Sequence, residues 1–247
     1  MEPRLNFEGQ PVAPDAATPS GSGAELCLIE GTRADVVQAA LLASSESDYF
    51  YCSHNWSPMF IEGVKTIAFE IVEQLGWSAP DHVVVPVGFG GVLIGVYEGF
   101  KELLGEGVID KMPRIHSVQP EECATLYEAY ARGEHLQEYN TGEAMRSFVC
   151  SSFRTGTKAE GIVAMELIRP RQMMEAVRNS HGTVHVVTNE QLREGLAELS
   201  HNGIYVEPTS AVVVQGYREC IEKGEISDGE TTVCVLTGSG LKFGKEL

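Results

Sequence analysis

The stretch VVVPVGFGGVLIG, Val83 to Gly95, constrains the fold of this chain more than any other. A β-branched run enters three glycines within four positions and leaves as an apolar helix-forming segment, so it reads as strand, tight turn and helix. That order turns backbone N–H groups and the positive end of a helix dipole toward one point, the arrangement that holds an anion such as phosphate. The same glycines also suit a plain strand-to-helix turn that needs positive φ. Both readings stand on these residues alone.

The flanking sequence repeats the alternation. Residues 1–23 are rich in Pro, Gly, Ser and Ala and read as a flexible lead-in. A strand is expected over Ala24 to Glu30, a helix in RADVVQAALLASSES and a second strand over Tyr49 to Cys52, together a short βαβ unit. In GVKTIAFEIVEQLGW, Val64, Ile67, Ala68, Ile71 and Leu75 share one helical face and Gly76 suits the C-terminal stop. The strand RIHSVQP and the helix CATLYEAYARG follow, and Glu134 to Thr157 is less regular. TVHVVT predicts a strand over Thr183 to Thr188, and Thr188 with Gln191 forms a capping-box pattern for the helix NEQLREGLAELSHNG. A helix is expected to begin near Thr209, and ETTVCVLTGSGLK reads as a buried strand ending in a second glycine turn, Gly238 to Gly240. Short β-branched runs alternating with amphipathic helices predict an α/β fold, a mostly parallel open sheet with helices on both faces. Ligands of such sheets bind beyond the carboxyl ends of the strands, where both glycine turns fall.

Charge narrows the partners. A formal net charge of −17 and a pI near 4.8 argue against nucleic acid and anionic membrane surfaces, which are polyanions themselves. No apolar run approaches the length of a membrane span, and the first residues lack a signal peptide's apolar core, so a cytoplasmic location is expected. The six cysteines (Cys27, Cys52, Cys123, Cys150, Cys220 and Cys234) show no CxxC pair or metal-type spacing and read as reduced, structural residues.

Four segments, in this order and spacing, resemble the pyridoxal-phosphate enzymes of the tryptophan synthase β type, and most closely the threonine synthases. They are EGVKTIAFEIVEQLGW with APDHVVVPVGFGG, GFKELLGEGVIDKMPRIHSVQ, YVEPTSA and CVLTGSGLK, spread over about residues 24–242. The resemblance implies that Gly88, Phe89, Gly90, Gly91 and Val92 wrap the phosphate of pyridoxal 5'-phosphate, and that the Thr237 hydroxyl meets its pyridine nitrogen. Glu207, Pro208 and Thr209 read equally as a helix N-terminus, with Pro208 in the first turn and Thr209 or Ser210 capping. An amino acid is the implied substrate, and O-phosphohomoserine is the family's.

The chain departs from that family in three places. The family's cofactor lysine, in an S-x-K-D-type motif, has no counterpart among Lys65, Lys101, Lys111, Lys158, Lys223, Lys242 and Lys245. The resemblance therefore covers the end of the small domain, residues 24–52, and the second half of the large cofactor-binding domain, residues 53–247, an incomplete version of the fold. Phe60 stands where many threonine synthases carry a phosphate-holding arginine, and Phe89 replaces the usual loop asparagine; a phenyl ring cannot replace a bidentate guanidinium. Arg154 and Lys158 are the candidates for replacement charge. The expectation is a threonine-synthase-like lyase polypeptide, inactive by itself, forming a homo-oligomer or joining a lysine-bearing partner. The alternatives are a non-catalytic binding subunit and a related threonine or serine dehydratase.

Overall fold

The computed structural model describes residues 27–30, 33–46, 49–133, 154, 156–164 and 167–242. Contacts divide the chain into a unit of residues 1–53 with 242–247 and a unit spanning His54–Leu241. The lead-in expected over residues 1–23 lies outside the described residues, as does most of the irregular stretch after Glu134. Among the described residues no helix is long and apolar enough to cross a membrane.

In the first unit the expected helix is present as α1, Arg33–Glu46. Of the two expected strands, the described part of the first, residues 27–30, shows an isolated bridge at Leu28, and residues 49–52 have no strand conformation. Alternation supplies the side-chain pattern of a strand, but a strand persists only where a neighbour takes its N–H and C=O groups.

The larger unit is built on four parallel strands: β1, His82–Pro86; β2, Arg114–Pro120; β3, Val184–Val187; and β4, Thr232–Cys234. Their order is β3-β2-β1-β4, with β1 paired to both β2 and β4. Alternate residues of the strands enter two cores, as the two-residue period demands. Val83, Val85, Val87, Ile115 and Val184 join one apolar cluster, and Val84, Val118 and Val187 join the other. Both faces are therefore covered, which explains why β1 is buried along its whole length. The strand expected to be buried in ETTVCVLTGSGLK is instead half-buried, because β4 is an edge strand paired on one side.

The first face carries α2, Pro58–Val64; α3, Thr66–Gln74; α4, Gly91–Gly105; and α6, Pro170–Asn179, after the short α5, Thr125–Ala131. The single helix expected through GVKTIAFEIVEQLGW is two. The Thr66 hydroxyl donates to the Gly63 carbonyl (2.9 Å) and Ala68 N–H tightens onto the Lys65 carbonyl (3.0 Å), so a side chain takes a carbonyl the helix would use. The expected stop holds: Gly76 has φ of 71°, its N–H meets the Glu73 carbonyl, and Trp77 N–H meets the Val72 carbonyl, a Schellman ending. At Gly99 a Cβ would lie 2.4 Å from the Lys65 carbonyl oxygen, so only glycine lets α4 approach the α2–α3 junction this closely.

The second face carries α7, Asn189–His201, and α8, Pro208–Glu222. The capping box read from Thr188 and Gln191 is formed in both directions, with Gln191 N–H on the Thr188 hydroxyl (3.2 Å) and Thr188 N–H on Gln191 Oε1 (2.8 Å). The N-cap of α8 is Glu207, with Pro208 in the first turn. Neither Thr209 nor Ser210 caps it through its side chain, and Ser210 holds the second glycine turn instead, as described next.

Candidate active site

The site begins where β1 ends. Val87 N–H is still on the ladder, bonded to the Val118 carbonyl (2.9 Å), and then the chain turns through Gly88, Phe89 and Gly90 into α4. Gly90 is the N-cap of α4, with φ of 84°, a conformation that side-chain-bearing residues rarely adopt. Among the described residues, the N–H groups of Gly88, Phe89, Gly90, Gly91 and Val92 donate to no backbone carbonyl, whereas Ile94 N–H already bonds the Gly90 carbonyl (2.9 Å). Unpaired donors at a helix N-terminus are where an anion is held.

Three neighbours fix the shape of this turn. A Cβ on Gly88 would come within 2.8 Å of Ile162 Cα, so the 3-10 turn Glu160–Ile162 sits directly against the loop. A Cβ on Gly161 would in turn stand 2.7 Å from Thr209 Oγ1, which joins the start of α8 to the same wall. Thr209 is buried and its hydroxyl has no hydrogen-bond partner. On the opposite side the Phe60 ring lies about one contact distance from Gly91, where a Cβ would be 3.1 Å away. The position of the expected arginine thus carries an apolar ring against the helix N-terminus.

Gln119 anchors the turn from β2. Its buried side chain donates to the Val87 carbonyl (3.2 Å) and accepts from Leu126 N–H (2.8 Å) and Tyr127 N–H (3.1 Å). One amide thereby holds the residue before Gly88 and the first turn of α5. Nothing in the local sequence marks it, since a glutamine in a strand has no pattern of its own. Gln119→Leu leaves a carbonyl and two N–H groups without partners and is expected to cost about 2 kcal/mol or more of stability, read as the urea midpoint.

The second glycine turn lies at the same end of the sheet. β4 pairs parallel with β1, and the ladder continues through Val235 N–H to the Val84 carbonyl (2.9 Å), so both chains leave the sheet side by side. Ser210 pins this turn: its Oγ accepts from Thr237 N–H (2.8 Å) and Gly238 N–H (3.0 Å) and lies 2.9 Å from the Thr237 hydroxyl. Thr237, an exposed residue, donates its hydroxyl to Glu207 Oε1 (3.1 Å). Glu207 N–H bonds the Gly238 carbonyl (3.0 Å) and Gly240 N–H the Tyr205 carbonyl (3.1 Å), tying the turn to the entrance of α8. The sequence places Ser210 at this junction, but only the tertiary pairing shows what it holds.

The candidate charges are dispersed. Arg154 N–H bonds the Glu122 carbonyl (2.9 Å) and Lys158 N–H bonds Asn189 Oδ1 (3.0 Å), beyond the carboxyl ends of β2 and β3. A different cation stands nearer the glycine loop. Arg169, the N-cap of α6, donates to the Ser57 carbonyl (3.3 Å), and one turn later Met173 packs where a Cβ on Gly90 would be. Burial pulls the Arg169 pKa down, and among the described residues its guanidinium pairs with no carboxylate. Four of the lysines are held by carboxylates. Lys65 pairs with Glu62 and Glu102, Lys101 with Glu98, Lys111 with Asp81 and Lys223 with Glu219; carboxylate hydrogen bonds raise the pKa of Lys65, Lys101 and Lys111, and that of Lys223 rises toward Glu219 despite partial burial. Lys245 and the Lys242 side chain lie outside the described residues.

The sequence profile described as pyridoxal-phosphate dependent enzyme matches residues 15–238. The chain belongs to the pyridoxal-phosphate dependent enzyme family. Within it, the chain is 32% identical to a threonine synthase of Methanocaldococcus jannaschii and 34% identical to one of Methanosarcina acetivorans. Each match covers 89% of this chain and 51% of the relative. The chain therefore spans about half the length of these relatives. The fold matches a processed threonine deaminase isoform 2 of Solanum lycopersicum with a TM-score of 0.72 at 22% identity, covering 92% of this chain and 60% of that one. A cysteine synthase of Entamoeba histolytica matches with a TM-score of 0.70 at 20% identity, over 98% of this chain and 62% of that one. These solved structures share the fold expected from the sequence. The unpaired N–H groups from Gly88 to Val92 fit the phosphate end of the family's cofactor.

Proposed function

We propose that this chain forms the phosphate-binding and ring-binding part of a threonine-synthase-like catalyst acting on a phosphorylated amino acid, with the cofactor lysine supplied from outside these 247 residues. The observation that carries the reading is the set of unpaired N–H groups from Gly88 to Val92, at the same sheet end as Thr237. Pyridoxal phosphate, when bound, supplies an electron sink that lets a proton leave the carbon skeleton of an amino acid. The chain's own residues would hold it. Gly88, Phe89, Gly90, Gly91 and Val92 donate N–H groups to its phosphate, and the dipole of α4 adds positive potential there. The Thr237 hydroxyl, positioned by Ser210, turns its hydrogen from Glu207 to the ring nitrogen and leaves that nitrogen unprotonated. Ile162 and Phe60 stand against the turn at Gly88 and Gly91.

Arg169 would take the substrate phosphate in place of the arginine that Phe60 replaces. A half-buried guanidinium without a carboxylate gains most from a phosphate dianion. Arg169→Ala is expected to raise the KM for the phosphorylated substrate at least tenfold while kcat falls less, measured in an assembled catalyst.

The test combines this chain with a separately produced lysine-bearing N-terminal half of a threonine synthase relative and follows phosphate release from O-phosphohomoserine. No turnover by the chain alone and turnover by the mixture are expected. Turnover by the chain alone at the rate of an intact relative would contradict the need for an outside lysine. Release of ammonia from threonine or serine, without phosphate release, would assign a dehydratase instead. Failure of the mixture with cofactor still bound would leave a non-catalytic binding subunit.

A further inference from the structure

At the opposite end of the sheet three strands carry a histidine within their first three residues. His82, His116 and His185 stand in β1, β2 and β3, and the register places His116 opposite Val84 and His185 opposite Val118, so all three belong to the sheet face covered by α8. All three are buried. The last turns of α8 and the turn after it bring Cys220, Glu219, Lys223, Glu225 and Glu230 to the same place.

Four of these groups converge. The ligand atoms of His116, His185, Cys220 and Glu225 all lie within 4.8 Å of one another. Cys220 Sγ is 3.2 Å from His185 Nε2, which is 2.9 Å from Glu225 Oε2, and His116 Nδ1 is 3.7 Å from that oxygen. Ligands of a tetrahedral zinc ion, at about 2.0–2.3 Å from the metal, stand about this far apart. The Thr183 hydroxyl lies among them, 2.7 Å from His116 Nδ1, 2.8 Å from His185 Nε2 and 2.7 Å from Glu225 Oε2.

With every imidazole neutral, the hydrogen count leaves one contact of this cluster without a hydrogen. Glu225, Thr183, His116, His82 and Glu230 form a row with four contacts, of 2.7, 2.7, 3.0 and 3.2 Å. With neutral imidazoles the row has three hydrogens for four contacts, one from Thr183 and one from each histidine. One contact then sets acceptor against acceptor, and His82 Nε2 is the buried atom left without a hydrogen-bond partner. A cation on His116 Nδ1 removes the deficit. The His116 hydrogen moves to Nε2 and donates to His82 Nδ1, and His82 Nε2–H donates to Glu230.

We propose that His116 Nδ1, His185 Nε2, Cys220 Sγ and Glu225 bind a divalent transition-metal ion of the zinc class. Two nitrogens, a thiolate and a carboxylate are a borderline-soft donor set that matches zinc, and the two anionic ligands balance its charge. Binding forms one metal–sulfur bond and sends the Cys220 thiol proton to solvent, while Thr183 turns its hydroxyl aside. The outer partners are in place: His185 Nδ1 is 3.1 Å from Glu219 Oε2, and Lys223, 3.2 Å from that nitrogen, pairs with Glu219. With four protein ligands the ion is structural, joining β2, β3, α8 and the turn after it, about 20 Å along β1 from the glycine turn.

The experiment uses the whole chain, stripped of metal with a chelator and titrated with cobalt(II), followed by zinc competition. One equivalent of cobalt with a near-ultraviolet thiolate-to-cobalt band is expected, with a melting temperature that rises with metal and falls again with chelator. C220S should abolish the band, H185N should weaken binding at least tenfold, and C52S should change neither. Saturation without a sulfur band, no saturable binding, or binding equal in C220S and H185N would overturn the site and leave a protonated histidine network. Should C220S or H185N not fold, the donor set seen by X-ray absorption on the wild-type cobalt complex decides, sulfur with nitrogen for the site and oxygen alone against it.

Discussion

Gly88→Ala is expected to weaken binding of pyridoxal phosphate at least tenfold, about 1.4 kcal/mol, and to lower stability by about 1–3 kcal/mol. The new methyl carbon would stand 2.8 Å from Ile162 Cα and 3.1 Å from its carbonyl carbon and oxygen. These are backbone atoms, so no rotamer relieves the contact. Either the loop or the 3-10 turn Glu160–Ile162 has to move, and the turn is itself lodged against Thr209 at the start of α8. A displaced loop redirects the N–H groups of Gly88 to Val92. Gly105→Ala is the control: it lies at the far end of the same helix, a Cβ there meets nothing within 4 Å, and neither affinity nor stability should fall. Equilibrium dialysis with the cofactor and a urea melt for each variant read the two effects separately.

Phe100→Ala is expected to cost about 3–5 kcal/mol, the largest stability loss of any substitution considered, and to lower the melting temperature by roughly 10 °C or more. Among the described residues Phe100 is the largest side chain with no exposed surface, and it lies in the core with α4 and the sheet. Deleting its ring removes the transfer free energy and leaves a cavity, and the close seat of Gly99 on the Lys65 carbonyl prevents α4 from sinking to fill it. The substitution lies outside the glycine turn, so cofactor affinity per folded molecule should stay within twofold. Gly88→Ala and Phe100→Ala thus separate loss of the cup from loss of the fold.

What could be read in the sequence had local causes. The strand RIHSVQP was legible to the residue, since β2 is Arg114–Pro120, lying between Pro113 and the acidic pair Glu121 and Glu122. Thr188 and Gln191 specify their cap through each other, three residues apart. Tyr49 to Cys52 has the composition of a strand and no strand conformation. The break at Lys65 depends on one hydroxyl, that of Thr66, competing for a carbonyl. In the candidate site, Gly88 to Gly91 and Thr237 stood out from their neighbours, whereas Gln119, Ser210 and Arg169 did not. Their roles arise from bonds across 32, 27 and 112 residues, which no window along the chain contains. The histidine cluster is the extreme case. His82, His116 and His185 become one group only through the register of three parallel strands.

The account rests on a phosphate cup separated from its lysine, and one measurement tests that most directly. The chain is saturated with pyridoxal phosphate, treated with borohydride, digested and mapped by mass spectrometry, with pyridoxal lacking the phosphate as a parallel sample. The account predicts saturable binding that requires the phosphate, is competed by inorganic phosphate, is lost in Gly88→Ala, and leaves no stoichiometric adduct on any one lysine. A single lysine reduced onto the cofactor in full yield, or binding indifferent to the phosphate and to Gly88→Ala, would contradict it.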